Sequence, residues 1–429
     1  EPRTRAGHLF RLAEVLRRRR FELAAWEVYE TAKPWREADA DVAEAIDFCE
    51  FYAREALRLQ SGEQPLLAIP GEQNELRYIP LGAGLAIPPW NFALAIMVGL
   101  TVAPLVTGNT VVLKPSERAP VIAALFFQIL LDAGLPPGVV NFLPGVGSQI
   151  GDVLVDHPRT RFIGFTGSKA VGLRISERAA VRQPGQLWIK RAILEMGGKD
   201  AQIVDETADL DAAADAIVAA AFGYQGQKCS ACSRAIVVEQ VYEPLLQRVV
   251  ERARRLNVGN PTQPQTHLGA VIDKQAFDSI SAYIALGNQE ARLVLGGEVI
   301  DHTLLEDGGF FVMPTIFADV APDSRLAQEE IFGPVLSYIK ARDFDEALQI
   351  ANGTEYGLTG GLFSNDVGRL QRARHELHVG NLYLNRKITG APVGVQPFGG
   401  FNMSGTDSKA GGRDYVALFT QAKVIAERL

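Results

Sequence analysis

The sequence predicts an α/β protein built on two parallel sheets, with a small β-rich element outside both. Three observations predict it. Short β-branched runs alternate with amphipathic helical stretches between Thr110 and Thr166. A second series of the same kind starts near Ala201. Two β-rich segments, Leu66 to Ile79 and the stretch after Asp414, fit neither series. Strands and helices that alternate through Gly/Pro turns fold as a parallel sheet covered by helices.

Taken in order, Leu9, Leu12, Leu16, Leu23 and Trp26 recur at helical spacing. Arg17 to Arg20 lie inside that pattern, and four successive arginines on a helix read as solvated surface. Tyr78 to Leu113 carries no charge, but Pro80, Pro88, Pro89, Asn91 and Pro104 interrupt it. A membrane span needs about 20 unbroken apolar residues, so buried strand, turn and core helix is the better reading. Strands then follow at Thr110–Leu113, Val139–Leu143 and Arg161–Thr166, with helices at Val121–Ala133 and near Ser148–Val155. The second series reads strand Ala201–Val204, helix Leu210–Ala221, strand Ala235–Val238 and helix Tyr242–Leu256.

Composition sets outer limits. The chain has 429 residues, 47% of them hydrophobic, which is enough for a large core and two or three domains. Its net charge of −7 supplies no broad basic face for nucleic acid. Only three cysteines occur, Cys49, Cys229 and Cys232, which points to a reducing compartment without a disulfide framework.

Five short segments carry polar groups where chemistry can use them. Cys229 sits in Gly226-Gln-Lys-Cys-Ser-Ala-Cys232. A free thiol has a pKa of about 8.5, and Lys228 and Arg234 are near enough in sequence to lower it. A buried structural cysteine, or a metal or redox pair with Cys232, are the alternatives. Glu195 ends an apolar run before Gly197 and Gly198, where burial raises a carboxyl pKa toward general-base range; a capping or salt-bridged glutamate is the plainer reading. Asn91 follows two prolines and Trp90, as a turn residue or as a donor to an oxyanion. Lys114-Pro115-Ser116-Glu117 comes directly after a strand, where ligands bind in open α/β sheets, although a loop ion pair reads equally well. Phe165-Thr166-Gly167-Ser168 opens a helix whose N-terminus can face a pyrophosphate. Gly145-x-Gly147-x-x-x-Gly151 has the wrong last spacing for a dinucleotide fingerprint and reads as a packing turn.

Together, in this order, these segments resemble the aldehyde dehydrogenase superfamily across essentially the whole chain. Asn91 matches the family's oxyanion asparagine in P-W-N-F, and Lys114 and Glu117 its ribose-binding K-x-x-E. Glu195 matches its E-x-G-G-K base and Cys229 its G-Q-x-C nucleophile, 34 residues further on. Glu330 and Phe332 match its E-x-F-G-P segment. The resemblance implies NAD as cofactor, held by Trp90, Lys114, Pro115, Glu117, Gly145, Phe165 to Ser168 (Phe165, Thr166, Gly167, Ser168), Gly197, Glu330 and Phe332. Glu117 implies NAD rather than NADP, since a carboxylate repels a 2′-phosphate.

Finer features resemble the 1-pyrroline-5-carboxylate dehydrogenase branch, which oxidises L-glutamate γ-semialdehyde. These are Gln225 to Arg234 and Asn385 to Ser404. The resemblance places Ser230, Gly390 and Ala391 at the substrate carboxylate, Phe92 and Phe398 on its chain, and Lys228 and Glu44 beside it. It implies an NAD domain over 1–195 with a β-rich oligomerisation insertion at 59–80, a catalytic domain over 196–385, and a returning segment over 386–429 with the substrate loop and an oligomerisation strand. The expected protein is a homo-oligomer in the cytoplasm, with a mitochondrial matrix location open, bound to neither nucleic acid nor membrane. Members of the branch carry a further segment before the point where this chain begins, and the match is better to the single-function enzyme than to the proline-utilisation fusion. Two rivals stand: a dehydrogenase for another semialdehyde such as succinate semialdehyde, and a redox or zinc protein using Cys229 and Cys232.

Overall fold

A computed structural model describes residues 1–60, 66–300 and 308–429. Residues 61–65 of the expected 59–80 insertion lie outside them.

Five strands form the first sheet, all parallel, in the order Val140–Phe142, Thr110–Leu113, Ala83–Ile87, Phe162–Thr166, Arg191–Glu195. The chain lays down the first three in one direction and then crosses to the far side of Ala83–Ile87. A crevice therefore opens at the carboxyl ends of Ala83–Ile87 and Phe162–Thr166. Gly84 leaves room for the ring of its cross-strand partner Phe162; a Cβ there would enter that ring. The apolar half of the uncharged stretch is the core helix Ala95–Val106, in which Thr101 is the one side chain with a hydrogen-bonding group. Among the described residues no helix is long and apolar enough to cross a membrane.

Three N-terminal helices, Pro2–Arg18, Arg20–Thr31 and Trp35–Gln60, cover one face of this sheet. Trp35–Gln60 buries Ala38, Val42, Ala45, Phe48, Cys49 and Tyr52, the three- and four-residue steps of one helix face. Phe48 lies 3.3 Å from where a side chain on Gly99 would begin. The arginine run breaks the expected helix at Arg19 and is paired at the surface, Arg17 with Glu14 and Glu50, Arg19 with Glu22, and Arg20 with Asp39.

The second sheet has seven strands, ordered Asn381–Leu384, Thr359–Phe363, Asp200–Val204, Cys232–Val238, Val335–Ala341, Thr315–Ala318, Arg292–Leu295. It is parallel except at one edge, where Arg292–Leu295 runs antiparallel to Thr315–Ala318. The two β-rich segments pair with each other: Glu72–Pro80 and Thr420–Arg428 form an antiparallel ribbon from Glu72↔Arg428 to Pro80↔Thr420. Most of its side chains are exposed on both faces.

One ionic cluster is fully buried. Lys33, 1% exposed, donates to Glu27 at 2.8 Å and to Asp41, and Asp41 Oδ1 accepts the Ala95 N–H at 2.7 Å. Removing the cation alone leaves two carboxyl groups facing each other without water. Lys33→Met is expected to cost about 3–5 kcal/mol of stability in urea unfolding. A loss under about 1 kcal/mol, the size of an exposed pair, would contradict this.

Candidate active site

Every strand of the first sheet ends in one of the loops singled out in the sequence. Ile87 leads to Trp90, Asn91 and Phe92; Leu113 to Lys114 and Glu117; Phe142 to Gly145 and Gly147; Thr166 to Gly167 and Ser168; Glu195 to Gly197. Facing them are the amino ends of three strands of the second sheet. Gly198 precedes Asp200–Val204, Cys229 precedes Cys232–Val238, and Glu330 and Phe332 precede Val335–Ala341. Contacts cross this cleft. Asn91 Nδ2 donates to the Gln227 carbonyl at 3.0 Å and the Trp90 ring meets Phe332 edge-on at 5.6 Å, while within the second-sheet side Gly198 N–H donates to Glu330 Oε1 at 3.0 Å. A small pocket there is lined by Cys229, Gly198, Glu330 and Phe332 among others.

Cys229 follows a turn in which Tyr224 and Gln225 both hold positive φ, 50° and 57°. Such backbone persists only where its surroundings fix it. Here the Gln225 amide donates to the carbonyls of Ala32 and Ala270, at 3.1 and 2.8 Å, and the Gln227 side chain accepts the Ile272 N–H at 3.0 Å. Cys229 as a residue keeps some exposed surface, yet burial pushes its thiol pKa well up, and the carboxyls of Glu195, Asp200 and Glu330 add to that. The expectation that Lys228 and Arg234 lower it is corrected. Lys228 is paired with Glu37 at 2.6 Å. Arg234 is buried and spends its guanidinium on the carbonyls of Lys199, Ile350 and Ala351 at 2.8–2.9 Å. The resting thiol is therefore protonated at neutral pH and needs a base. Cys232 faces the core from within its strand with its thiol on the Arg234 carbonyl, and all three cysteines are free. Among the described residues no group of three His, Cys, Asp or Glu side chains is placed to hold a metal ion.

Glu195 is a candidate for that base. It ends its strand opposite Thr166 and is bridged on the other side by Gly405. Its Oε1 is buried without a hydrogen-bond partner. Burial lifts its pKa to about 8, offset only in part by Lys409. A base works in its deprotonated form, so the sign is fixed: kcat should rise with pH through about 8 and level off above it. A kcat profile that is flat or falling between pH 6 and pH 9, roughly the span around that value, would remove Glu195 as the base. Asn91, 4% exposed, has two amide N–H groups, of which one is spent on the Gln227 carbonyl.

The nucleotide side fits a dinucleotide. Lys114 is buried and lies 3.8 Å from Glu117, whose carboxylate is half exposed and accepts the Gly147 N–H at 2.9 Å. This amends the reading of the Gly145–Gly147 turn as packing alone. Gly145 does pack, since a Cβ there would press on Ile150 at 2.7 Å, but Gly147 closes the Lys114–Glu117 corner. Pro115 beside them accepts the Lys114 ammonium. Thr166 Oγ1 is buried without a partner, and Ser168 starts the helix Lys169–Ala180 with its side chain not spent on the cap. A side chain at Gly167 would meet the Phe165 ring, and one at Gly197 would enter the Glu330 carboxylate, so bare backbone lines the crevice. Burial also lifts Glu330 to about 7.

On the other side, Glu44 projects from Trp35–Gln60. Burial raises its pKa to about 8, with Asp41 and Glu195 contributing, which places it in the electrostatic neighbourhood of the base. Ser230 is buried next to Cys229, and Phe92 is partly buried. Gly390 takes φ +77°, and Arg386 donates to the carbonyls of Thr389 and Gly390 at 3.1 Å. That holds the turn by its carbonyls, and among the described residues neither the Gly390 nor the Ala391 N–H is spent on another group. Phe398 is fixed by paired backbone bonds to Ala410. Glu37, the partner of Lys228, escaped the sequence reading; it stands two helical turns before Glu44 on the same face, which is the signal that marks it.

The fold and site define a thiol-bearing dehydrogenase of the two-sheet type, and the aldehyde dehydrogenase family model matches residues 1–425. The chain belongs to the aldehyde dehydrogenase family. A relative named 1-pyrroline-5-carboxylate dehydrogenase, from Geobacillus kaustophilus, is 61% identical over 99% of this chain and 82% of its own. The crystal structure of a 1-pyrroline-5-carboxylate dehydrogenase from Thermus with bound NAD has a TM-score of 0.97 and 54% identity, covering 100% of this chain and 82% of that one. A proline utilization A protein from Bdellovibrio bacteriovorus matches with a TM-score of 0.96 and 48% identity over 100% of this chain and 44% of its own.

Proposed function

We propose that this chain oxidises L-glutamate γ-semialdehyde, the open form of 1-pyrroline-5-carboxylate, to L-glutamate with NAD, a step of proline catabolism. The observation that carries the reading is the convergence of the Cys229 thiol, the spare Asn91 N–H and the unpartnered Glu195 carboxyl in one cleft. In its ionised form Glu195 takes the thiol proton as the Cys229 sulfur bonds to the aldehyde carbon. The carbonyl electrons move onto oxygen, which the Asn91 amide and the Cys229 N–H hold. Bound NAD would supply the acceptor for the hydride of that carbon, and loss of the hydride leaves a thioester on Cys229. Glu195 passes the thiol proton to solvent and, ionised again, draws a proton from water as the hydroxide adds to the thioester carbon; the Cys229 sulfur departs as the carboxylic acid forms and takes that proton back from Glu195, which restores the thiol. Lys114, Glu117, Thr166, Ser168, Glu330 and Phe332 hold the cofactor in this reading. Ser230 and the free N–H groups of Gly390 and Ala391 hold the substrate carboxylate, as oriented backbone donors do for anions. The units are 1–195 for NAD and 196–385 for the thiol, with 386–429 returning to both. The Glu72–Pro80 and Thr420–Arg428 ribbon, exposed on both faces, carries subunit contacts in a homo-oligomer, and three free cysteines fit the reducing cytoplasm.

The test is NADH production with glutamate γ-semialdehyde against succinate semialdehyde. The amino-acid semialdehyde should give the higher kcat/KM by at least about tenfold, the usual reward for matching a buried polar group. Equal or reversed preference would give the reading to the other semialdehyde. Ala391→Phe should lower kcat/KM for glutamate γ-semialdehyde by about 10²-fold, one misplaced ångström at the anchor, and that for propionaldehyde far less. Equal losses would remove the loop from substrate binding.

A further inference from the structure

The buried Lys33 cluster lies beneath both halves of the cleft. The Lys33 ammonium is 5.1 Å from the centre of the Phe92 ring and 5.0 Å from that of Tyr224. Phe92 adjoins Asn91, and Tyr224 begins the left-handed turn that leads to Cys229. The segment carrying Lys33 also holds that turn directly. The Ala32 carbonyl accepts the Gln225 amide at 3.1 Å, and the Thr31 carbonyl accepts the Tyr224 hydroxyl at 3.4 Å. On the other side, Asp41 caps the Ala95 N–H, just past the Asn91–Phe92 loop. A cation stripped of water is attracted to aromatic faces. Here one cation touches a ring from each loop, and the two loops meet in the Asn91–Gln227 hydrogen bond.

We propose that Lys33 is a positioning residue which, through Phe92 and Tyr224, sets the Asn91 amide against the Cys229 loop. The proposal rests on the aldehyde-oxidation reading above. Lys33 touches no substrate; its effect passes through Asn91.

The test uses the full chain with glutamate γ-semialdehyde and NAD. Because Lys33→Met alone strands two carboxyls, the working variant is the uncharged Glu27→Gln/Lys33→Met/Asp41→Asn. Its Asp41→Asn change keeps a side-chain oxygen for the Ala95 N–H. With circular dichroism and NAD affinity unchanged, kcat should fall at least about tenfold, since small misplacements of catalytic groups are that costly. In an Asn91→Ala background the same three changes should cost less than about twofold, because groups acting through one another are non-additive. Should the triple variant not fold, Tyr224→Leu removes one ring and leaves the charges paired; it should lower kcat and show the same non-additivity. An unchanged kcat in a folded variant, or an equal loss with and without Asn91, overturns the proposal. A parent protein that oxidises no aldehyde overturns the underlying reading instead.

Discussion

Cys229→Ala is expected to lower aldehyde oxidation by on the order of 10⁴-fold or more, with NAD affinity unchanged. Without the sulfur no covalent intermediate forms, and neither Asn91 nor Glu195 offers another nucleophile of that kind. NAD binding should persist because the Lys114–Glu117 corner and the start of Lys169–Ala180 belong to the other sheet. Cys232→Ala is the matched control. Its thiol points into the core of the second sheet and should leave oxidation largely intact, whereas a dithiol function would lose as much from either change. Residual activity above about a hundredth of the parent in Cys229→Ala would remove Cys229 from the reaction.

Glu195→Gln separates the two halves of the reaction. The amide keeps the shape of the carboxyl but accepts no proton. Steady-state turnover should fall by about 10²–10⁴-fold. A first equivalent of NADH should still appear, formed slowly at neutral pH and faster at high pH, where solvent hydroxide takes the proton that the buried thiol retains. The variant should also lose the rise in kcat through about 8 that burial gives the parent carboxyl. A steady state equal to the parent's would assign the water-activating step elsewhere, with Glu44 the next buried carboxyl in line.

The site was legible because its residues fall at strand ends. A parallel sheet gathers its carboxyl-end loops on one edge, so segments as far apart as Asn91, Lys114, Ser168 and Glu195 share a crevice once the strands are placed. Strand bodies were legible as short β-branched runs: Val111 and Leu113 are the buried face of Thr110–Leu113, and Asp200–Val204 is buried throughout. The partners of charged groups were not legible. Lys228 reads as an activator of its neighbour until Glu37, 191 residues away, is folded against it. Arg234 likewise finds its carbonyls only in the packed sheet. Sequence places Lys33 between Ala32 and Pro34 with no pattern to mark it, and its two rings come from positions 92 and 224. The edge strand Arg292–Leu295 escaped because its burial does not alternate, and its antiparallel pairing with Thr315–Ala318 is a tertiary fact. The ribbon partners were each visible as β-rich, but their pairing across the whole chain is a tertiary fact.

The central claim is that one thiol carries the acyl group between oxidation and hydrolysis. Rapid acid quenching of Glu195→Gln during turnover with glutamate γ-semialdehyde and NAD, followed by digestion and mass spectrometry, tests it directly. A glutamyl thioester on Cys229, formed in step with the first NADH, is the predicted result. NADH formed with no adduct on Cys229, or an adduct on Cys232 or Cys49 in its place, contradicts the claim.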